Sequence, residues 1–218
     1  MNIAKEIYFK IFGKYRLVSC SIENELEKDW TILDVGCGHS SPLRLVKKTS
    51  RWVGLDIYEP YIAESKKQSI HDEYLIGDAR SLPFKDNSFD CAVAIEVLEH
   101  FNKPDGLKMI NEMERVARKK IILTTPNGFM ETYAGPNDNP EERHLSGWNY
   151  NELKELKFRV YGLNGLKSLW TIEKGKAVIR FKFLILPIML VEISKYFTYR
   201  NPSLSFQLFF VKDLNKLP

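Results

Sequence analysis

Polar and glycine residues follow five short apolar runs of this 218-residue sequence, each at the point where the run ends. The first run contains an acid, Asp34, just before the turn. The residues at the five ends are, in order, Gly36-Cys37-Gly38, Asp56, Gly77-Asp78-Ala79, Glu96 and Thr125-Pro126-Asn127. Because the carboxyl ends of parallel strands meet at one edge of a sheet, we expect these residues to line one ligand site.

The elements that must position this site alternate between short apolar runs and longer amphipathic stretches. Strands are predicted over 31–35, 52–55, 74–76, 91–95, 121–124, 158–163 and 205–212, and helices over 41–48, 60–69, 104–118 and 149–156. This alternation predicts right-handed crossovers in an α/β fold. We expect a Rossmann-like, doubly wound sheet with helices on both faces.

The glycine turn and its two acids indicate the ligand. Asp56 follows Asp34 by 22 positions, near the ~20-residue offset at which an acid reaches ribose hydroxyls in nucleotide-binding folds. The candidate ligands are a dinucleotide and S-adenosylmethionine. Ser41 stands where the dinucleotide fingerprint has its third glycine. Asp34 would also repel a pyrophosphate, whereas it would attract an ammonium or sulfonium group, which favours S-adenosylmethionine.

In four segments the sequence resembles the class I S-adenosylmethionine-dependent methyltransferases, most closely the small-molecule type 11 group. The segments are "ILDVGCG", "VGLD", "GDARSLPFKDNSFDCAVAIEVLEHF" and "RVARKKIILTTPN", which together cover roughly residues 31–127. The resemblance implies a mostly parallel seven-stranded sheet whose last strand is antiparallel, which suits "SFQLFFVK" at 205–212. His39-Ser40 departs from the family, in which many members have another glycine.

The resemblance also implies how the cofactor is bound. The glycines of the first turn should pass under its methionine portion, and the acid of the first strand should orient its amino group. The acid after the second strand should bind both ribose hydroxyls. The acid and alanine after the third should bind adenine, and the glutamate after the fourth should line the methionine side. The predicted cofactor-binding residues are Asp34, Gly36, Cys37, Gly38, Asp56, Ile57, Asp78, Ala79 and Glu96.

Methyl transfer is an in-line displacement that leaves S-adenosylhomocysteine, and a hydroxyl acceptor needs a base. His144 and His100 are the candidate catalytic residues, and Glu99 and Tyr133 are weaker ones. His71 is expected on the surface at the opposite edge of the sheet. No metal site is expected, because the histidines and carboxylates show no recognised ligand spacing.

Composition limits the partners and the compartment. A net charge of +4 with scattered lysine pairs gives no reason to expect nucleic acid. The resemblance implies a small-molecule acceptor, and the apolar part of 180–197 suits a lipid-like one. Three cysteines without a CxxC pair favour a reducing cytoplasm. Cys37 and Cys91 are interpreted as packing residues. No signal peptide is predicted. The activity could instead be cofactor binding without catalysis, or a dinucleotide-dependent oxidoreduction.

The chain is expected to form one methyltransferase domain over 1–218. Residues 1–30 are predicted to be helical, 31–164 to bind the cofactor, 165–204 to form an apolar insertion or cap, and 205–212 to form the last strand. Within 180–197 of this insertion, residues 183–191 are apolar and are flanked by Arg180, Lys182 and Lys195, and Pro187 is expected to break or kink any helix there. This segment could pack in the core, form a homodimer interface in place of a monomer, or cap the acceptor site and rest on a membrane surface.

Overall fold

The protein is described by a computed structural model covering residues 17–132, 139–173, 176–180 and 185–214. Its strands are β1 Ile32–Val35, β2 Trp52–Asp56, β3 Glu73–Ile76, β4 Phe89–Ile95, β5 Ala117–Pro126, β6 Arg159–Leu166, β7 Trp170–Glu173, β8 Lys176–Ile179 and β9 Ser205–Asp213. Seven of them form one sheet in the order β3-β2-β1-β4-β5-β9-β6, and β7 and β8 form a separate hairpin. The strand β9 is antiparallel to both of its neighbours, and the other pairs in the large sheet are parallel. The predicted fold class is confirmed.

The order of the strands places a crevice above β1 and β4. The chain proceeds from β1 outward to β2 and β3, and then returns to the other side of β1 through β4 and β5. The connections after β1 and after β4 therefore leave the sheet in opposite directions. In open α/β sheets, ligands bind at this point, outside the carboxyl ends of the strands.

Helices cover the sheet, and four of the five described ones overlap stretches predicted to be helical, whereas the one within 165–204 was not predicted. They are α1 Val18–Glu23, α2 Glu59–Gln68, α3 Lys103–Val116, α4 Tyr150–Glu155 and α5 Ile185–Arg200. In α3, the Asn102 side chain accepts a hydrogen bond from the Asp105 amide and caps the first turn. The helix predicted over 41–48 is instead a 3₁₀ turn, Pro42–Leu45, because Val46 is already extended with φ −90° and ψ 140°.

The sheet separates two apolar clusters, as a doubly wound fold requires. Alternate residues of β1 point to opposite faces: Leu33 and Val35 pack in one cluster, and Ile32 packs in the other. On the first face, α3 contributes its apolar stripe, which includes Met109 and Met113. Because both faces of β1 are buried, the acid within this strand has to find a partner inside the protein.

The segment 165–204, which sequence patterns left unplaced, contains the β7–β8 hairpin and α5. Pro187 lies in the first turn of α5, where a missing amide hydrogen is tolerated, so the helix continues to Arg200. Small buried side chains of α5, Ser194 and Thr198, face the sheet. A Cβ on Gly162 of β6 would lie 2.2 Å from the Thr198 carbonyl oxygen, so the helix backbone contacts the strand directly.

Within the ranges that the structure covers, no helix combines the length and the apolar character needed to cross a membrane. The predicted N-terminal helix falls partly outside those ranges. Its apolar stripe of Ile3, Ile7 and Ile11 is among the residues not described, whereas Ile22 is buried in α1.

Candidate active site

A cavity of about 420 Å³ opens at the carboxyl ends of the central strands, which is a typical size for a ligand pocket. All nine residues predicted to bind the cofactor line it, and His100 lines it as well. The lining also includes Tyr61, Arg80, Phe101 and Leu145, which sequence reasoning did not select. The strand ends predicted to meet at one edge therefore surround a common space.

The turn after β1 requires glycine at two positions. Gly36 and Gly38 have φ values of +68° and +58°, a region that favours glycine. A Cβ on Gly36 would lie 2.6 Å from Val97 Cγ2. A Cβ on Gly38 would meet no atom within 4 Å, so this residue borders open space. A ligand can approach the backbone of the turn at Gly38.

The Asp56 carboxylate connects this turn to the start of α2. Its Oδ2 accepts a hydrogen bond of 2.8 Å from the Gly38 amide, and its Oδ1 accepts one of 2.8 Å from the Tyr58 amide. Burial raises the pKa of Asp56, and these amides oppose that shift. Each carboxylate oxygen can accept a further hydrogen bond, so the group is held in place without being saturated.

The prediction that His71 lies on the surface at the opposite edge is wrong. His71 is buried, and its Nε2 lies 2.9 Å from Asp34 Oδ2 in the centre of the sheet. The side chain reaches Asp34 across β2, where Gly54 leaves the necessary room: a Cβ on Gly54 would lie 2.9 Å from His71 Nδ1. A glycine inside a predicted strand was the sequence signal for this close approach. Asp34 therefore lies in the cavity wall and is also hydrogen-bonded to a buried histidine.

Asp78 is paired with an arginine that the sequence analysis did not select. Arg80 donates to both Asp78 oxygens, with Nη2 2.6 Å from Oδ2, and its Nη1 lies 3.2 Å from Asp105. The hydrogen bonds from Arg80 lower the pKa of Asp78. Asp78 is therefore anionic at neutral pH and can accept a hydrogen bond from a ligand amine.

Glu96, at the end of β4, adopts φ +54°, which is uncommon for a residue other than glycine. Its Oε1 accepts hydrogen bonds of 2.8 Å from Thr124 of β5 and 2.8 Å from Gln207 of β9. Burial raises its pKa. Neither partner was selected from the sequence, and Gln207 had no local signal because it lies on a strand distant in the chain.

The two candidate catalytic histidines lie together beside this cavity. The ring centroids of His100 and His144 are 5.0 Å apart, and His144 Nε2 is 4.0 Å from Glu99 Oε1. Burial and the nearby His100 lower the pKa of His144 to about 4. Burial also lowers the pKa of His100, and it raises that of Glu99. The weaker candidate Tyr133 is outside the described residues.

The cysteines of the site contribute packing. Cys37 lies in the turn after β1, and Cys91 is fully buried in β4. Burial raises the pKa of both thiols, and the carboxylates of Asp34 and Asp56 add to the shift at Cys37. Both thiols are therefore protonated at neutral pH and are poor nucleophiles.

Parts of this chain are similar to known proteins. A family described as a methyltransferase domain matches residues 33–124, and the matched family model is the type 11 one. A sterol 24-C-methyltransferase of Neurospora crassa is 27% identical over 71% of this chain and 39% of its own length. A tRNA (carboxymethyluridine(34)-5-O)-methyltransferase of Arabidopsis thaliana is 29% identical over 55% of this chain and 27% of its own length.

Similarity in structure extends over more of the chain. A protein of Methanosarcina mazei described as a SAM-dependent methyltransferase superposes with a TM-score of 0.59 over 93% of this chain and 99% of its own. The two sequences are 20% identical, so the comparison establishes a shared fold. The chain spans about half or less of the curated relatives that it matches, for example 52% of an uncharacterized Methanocaldococcus jannaschii protein that is 35% identical.

Proposed function

We propose that this chain is a class I methyltransferase of the type 11 group, whose model residues 33–124 match, and that it uses S-adenosylmethionine to methylate a small or lipid-like acceptor. Its fold is the mostly parallel seven-stranded sheet with one antiparallel strand that the resemblance implied. The observation that carries the proposal is the convergence of the nine predicted residues on one cavity.

The residues present fit S-adenosylmethionine. Gly38 borders open space where a side chain would intrude, which suits a ligand lying against the turn. Asp56 is fixed by two amides and has free acceptor capacity for two vicinal hydroxyls. Asp34 and Glu96 add two acidic groups to the cavity wall, which suits the ammonium and sulfonium charges of this cofactor. When bound, S-adenosylmethionine supplies an activated methyl group on a sulfonium.

Each residue then has a proposed task. Gly36, Cys37 and Gly38 carry the methionine portion on their backbone, and Asp34, oriented by His71, attracts the amino group. Asp56 binds the ribose hydroxyls, Ile57 packs on the nucleoside, and Asp78 with the Ala79 backbone binds adenine. Glu96 lines the methionine side, held by Thr124 and Gln207.

We place the acceptor beside His100 and His144, because His100 lines the cavity and the two rings are neighbours. An imidazole with a pKa near 4 is neutral at pH 7 but is a weak general base. His144→Ala should reduce turnover and leave cofactor affinity intact if this residue acts on the acceptor. Loss of cofactor binding would instead make it part of the cofactor site.

A lipid-like acceptor is supported by the exposed face of α5. Five apolar side chains follow one another at helical spacing on that face with 43–68% of their surface exposed: Met189, Leu190, Ile193, Tyr196 and Phe197. No described residue of α5 lines the cavity. We therefore propose that 180–197 contacts a membrane surface peripherally, at which a lipid-like acceptor is found.

The membrane contact has a direct test. An Ile193→Ser, Phe197→Ser variant should fold, bind the cofactor and lose sedimentation with phosphatidylglycerol-containing vesicles. A matched change of the exposed Lys154→Ser should keep it. If the double variant changes from dimer to monomer in light scattering while vesicle binding is absent in both proteins, the face is a homodimer interface. If both the wild type and the double variant are monomers in light scattering, this face does not form a homodimer.

The acceptor itself is identified by incubating the protein with methyl-labelled S-adenosylmethionine and fractionated cell extract. We expect label in the lipid or small-metabolite fraction. Label in RNA would contradict the proposed acceptor class but not the methyl transfer. Calorimetry with S-adenosylmethionine, S-adenosylhomocysteine and NAD separates the remaining alternatives: binding without any transfer indicates a non-catalytic protein, and binding of NAD alone indicates a dinucleotide-dependent oxidoreductase.

The proposed compartment is the cytoplasm. Cys20, Cys37 and Cys91 are all free thiols, which is the usual state in a reducing compartment.

A further inference from the structure

Three side chains from two distant segments converge beside the cavity. Glu99 and His100 lie in the 3₁₀ turn Leu98–His100 after β4, and His144 lies in the loop that follows β5. One potential ligand atom from each residue lies within 4.8 Å of the other two. Glu99 is 1% exposed, and both histidines are partly buried.

Hydrogen bonds fix one polar atom of each side chain. His144 Nδ1 lies 2.7 Å from the Met130 carbonyl oxygen, and His100 Nδ1 lies 3.3 Å from the Arg143 carbonyl oxygen. A carbonyl oxygen only accepts, so His144 Nδ1 carries the proton and His144 Nε2, which lies 4.0 Å from Glu99 Oε1, has a lone pair. Glu99 Oε2 accepts from Thr125 Oγ1 at 3.1 Å, whereas its Oε1 is buried without a partner.

The backbone fixes this arrangement. The amides of Leu145 and Ser146 both donate to the Glu99 carbonyl oxygen, at 2.8 and 3.1 Å. The His144 amide donates to Thr132 Oγ1 at 3.0 Å. The loop that carries His144 is therefore attached directly to the residue whose carboxylate faces it. The proximity of the three groups follows from the main-chain connections and does not depend on one side-chain rotamer.

Glu99 Oε1 and His144 Nε2 face each other at 4.0 Å, too far apart for a hydrogen bond. A buried carboxyl oxygen without a partner is unfavourable. A cation bound between these two atoms would satisfy both. Imidazoles whose other nitrogen is hydrogen-bonded to a backbone carbonyl are the usual form of histidine metal ligands.

We propose that Glu99, His100 and His144 bind one divalent transition-metal ion. Two imidazoles and one carboxylate suit Zn²⁺, Co²⁺ or Fe²⁺ better than Ca²⁺ or Mg²⁺, which prefer oxygen ligands. Metal–ligand bonds of about 2.0–2.2 Å place tetrahedral ligand atoms roughly 3.3 Å apart. The observed 4.0 Å between His144 Nε2 and Glu99 Oε1 then has to shorten by less than about 1 Å on binding.

The position of the ion gives it a role in the proposed methyl transfer. Only this role depends on the proposed function; metal binding itself does not. Three protein ligands leave at least one coordination position for another oxygen. His100 and Leu145 border both the cluster and the cavity, so that position faces the space in which the cofactor and acceptor meet. The ion binds and orients an acceptor through an oxygen, such as a hydroxyl or phenolate.

Metal binding is tested without cofactor or acceptor, so its result is independent of the proposed function. Untagged protein is treated with EDTA, titrated with Co²⁺ and followed by its visible absorption and by elemental analysis. We expect one Co²⁺ per chain, displaced by Zn²⁺. Glu99→Gln and His144→Ala should each weaken Co²⁺ binding at least tenfold. The control His39→Ala, which removes an exposed histidine at the cavity rim, should not change it.

Two outcomes contradict the proposal. One is an apo protein that does not bind Co²⁺ or Zn²⁺ stoichiometrically. The other is binding that is equal in the wild type, Glu99→Gln and His144→Ala. If a variant fails to fold by circular dichroism, His100→Ala replaces it, since His100 is less enclosed than Glu99. Stoichiometric binding combined with no methyl transfer to any extract fraction would retain the metal site and reject the proposed function.

Discussion

The strand ends around the cavity and the segment 165–204 are held in place in different ways. At the strand ends, polar side chains are fixed by specific hydrogen bonds, such as those from two amides to Asp56 and from His71 to Asp34. In the second region, α5 is held by close backbone packing on the glycines of β6 and exposes an apolar face. The first region surrounds a cavity, and the second combines close packing with an exposed apolar surface. Substitutions should therefore affect binding in one region and stability in the other.

The largest effect is expected where the first region depends on a single buried partner. His71→Ala leaves the Asp34 carboxylate buried without its hydrogen bond, and breaking a buried pair costs about 3–5 kcal/mol. We expect the free energy of unfolding in urea to fall by that amount. His39→Ala, at an exposed position, should change it by no more than about 0.5 kcal/mol. Equal effects of the two substitutions would show that the His71–Asp34 contact is not important for stability.

Asp56→Ala addresses binding in the same region. Each charged hydrogen bond contributes about 1.5–3 kcal/mol, so loss of the carboxylate should weaken S-adenosylmethionine binding more than tenfold. Calorimetry measures the affinity, with the exposed neighbour Glu59→Ala as the control. An unchanged affinity in Asp56→Ala would remove the ribose-binding assignment and, with it, the proposed orientation of the nucleoside.

Gly162→Ala should produce the opposite pattern. The added Cβ would lie 2.2 Å from the Thr198 carbonyl oxygen and 2.6 Å from Ser205 Cβ, so α5 has to move away from β6. Overpacking of this kind costs about 1–3 kcal/mol. We expect a lower unfolding free energy with unchanged S-adenosylhomocysteine affinity, and no change for the exposed Glu155→Ala. A loss of affinity equal to that of Asp56→Ala would mean that the two regions are not separable.

The smallest effect concerns Asp90, on the side of the sheet away from the cavity. Burial alone would raise the pKa of Asp90, but hydrogen bonds from Arg118, Thr31 and Lys119 lower it overall. The stabilisation is therefore present above the unfolded pKa of about 3.9 and is lost as the pH falls through the lower native pKa. Asp90→Asn should cost about 1–2 kcal/mol at pH 7. It should also flatten the acid limb of the stability curve. An acid limb identical to that of the wild type would exclude Asp90 as its source.

Local patterns were sufficient to predict most of the first region. Short apolar runs marked β1 to β5, and the cofactor-site candidates are the residues at the ends of these runs, which can be read from the sequence. His71 was missed because its contact with Asp34 crosses β2 through the space left by Gly54, and only the fold creates that space. The cluster of Glu99, His100 and His144 was missed for a similar reason: it depends on amides of the His144 loop binding the Glu99 carbonyl.

The second region gave weaker signals. A hairpin and a helix occupy 165–204, but β7 and β8 have only four residues each. The apolar residues of α5 occur on several sides, because the helix packs with small residues on one face and exposes large ones on the other. Its periodicity therefore does not distinguish the buried side from the exposed side. The register of β9 between β5 and β6 likewise follows from long-range pairing and not from the sequence of β9 itself.

The place of β9 in the sheet has a consequence for synthesis. On the ribosome β9 emerges after the other eight described strands, yet it fills the gap between β5 and β6. Until then, β5 presents a bare edge with Ile121, Ile122 and Leu123, all fully buried in the finished fold, and such an edge is a template for aggregation. The hydrogen bond from Gln207 to Glu96 can likewise form only after 111 further residues have been translated. A nascent chain lacking β9 should therefore bind chaperones before it can bind a cofactor.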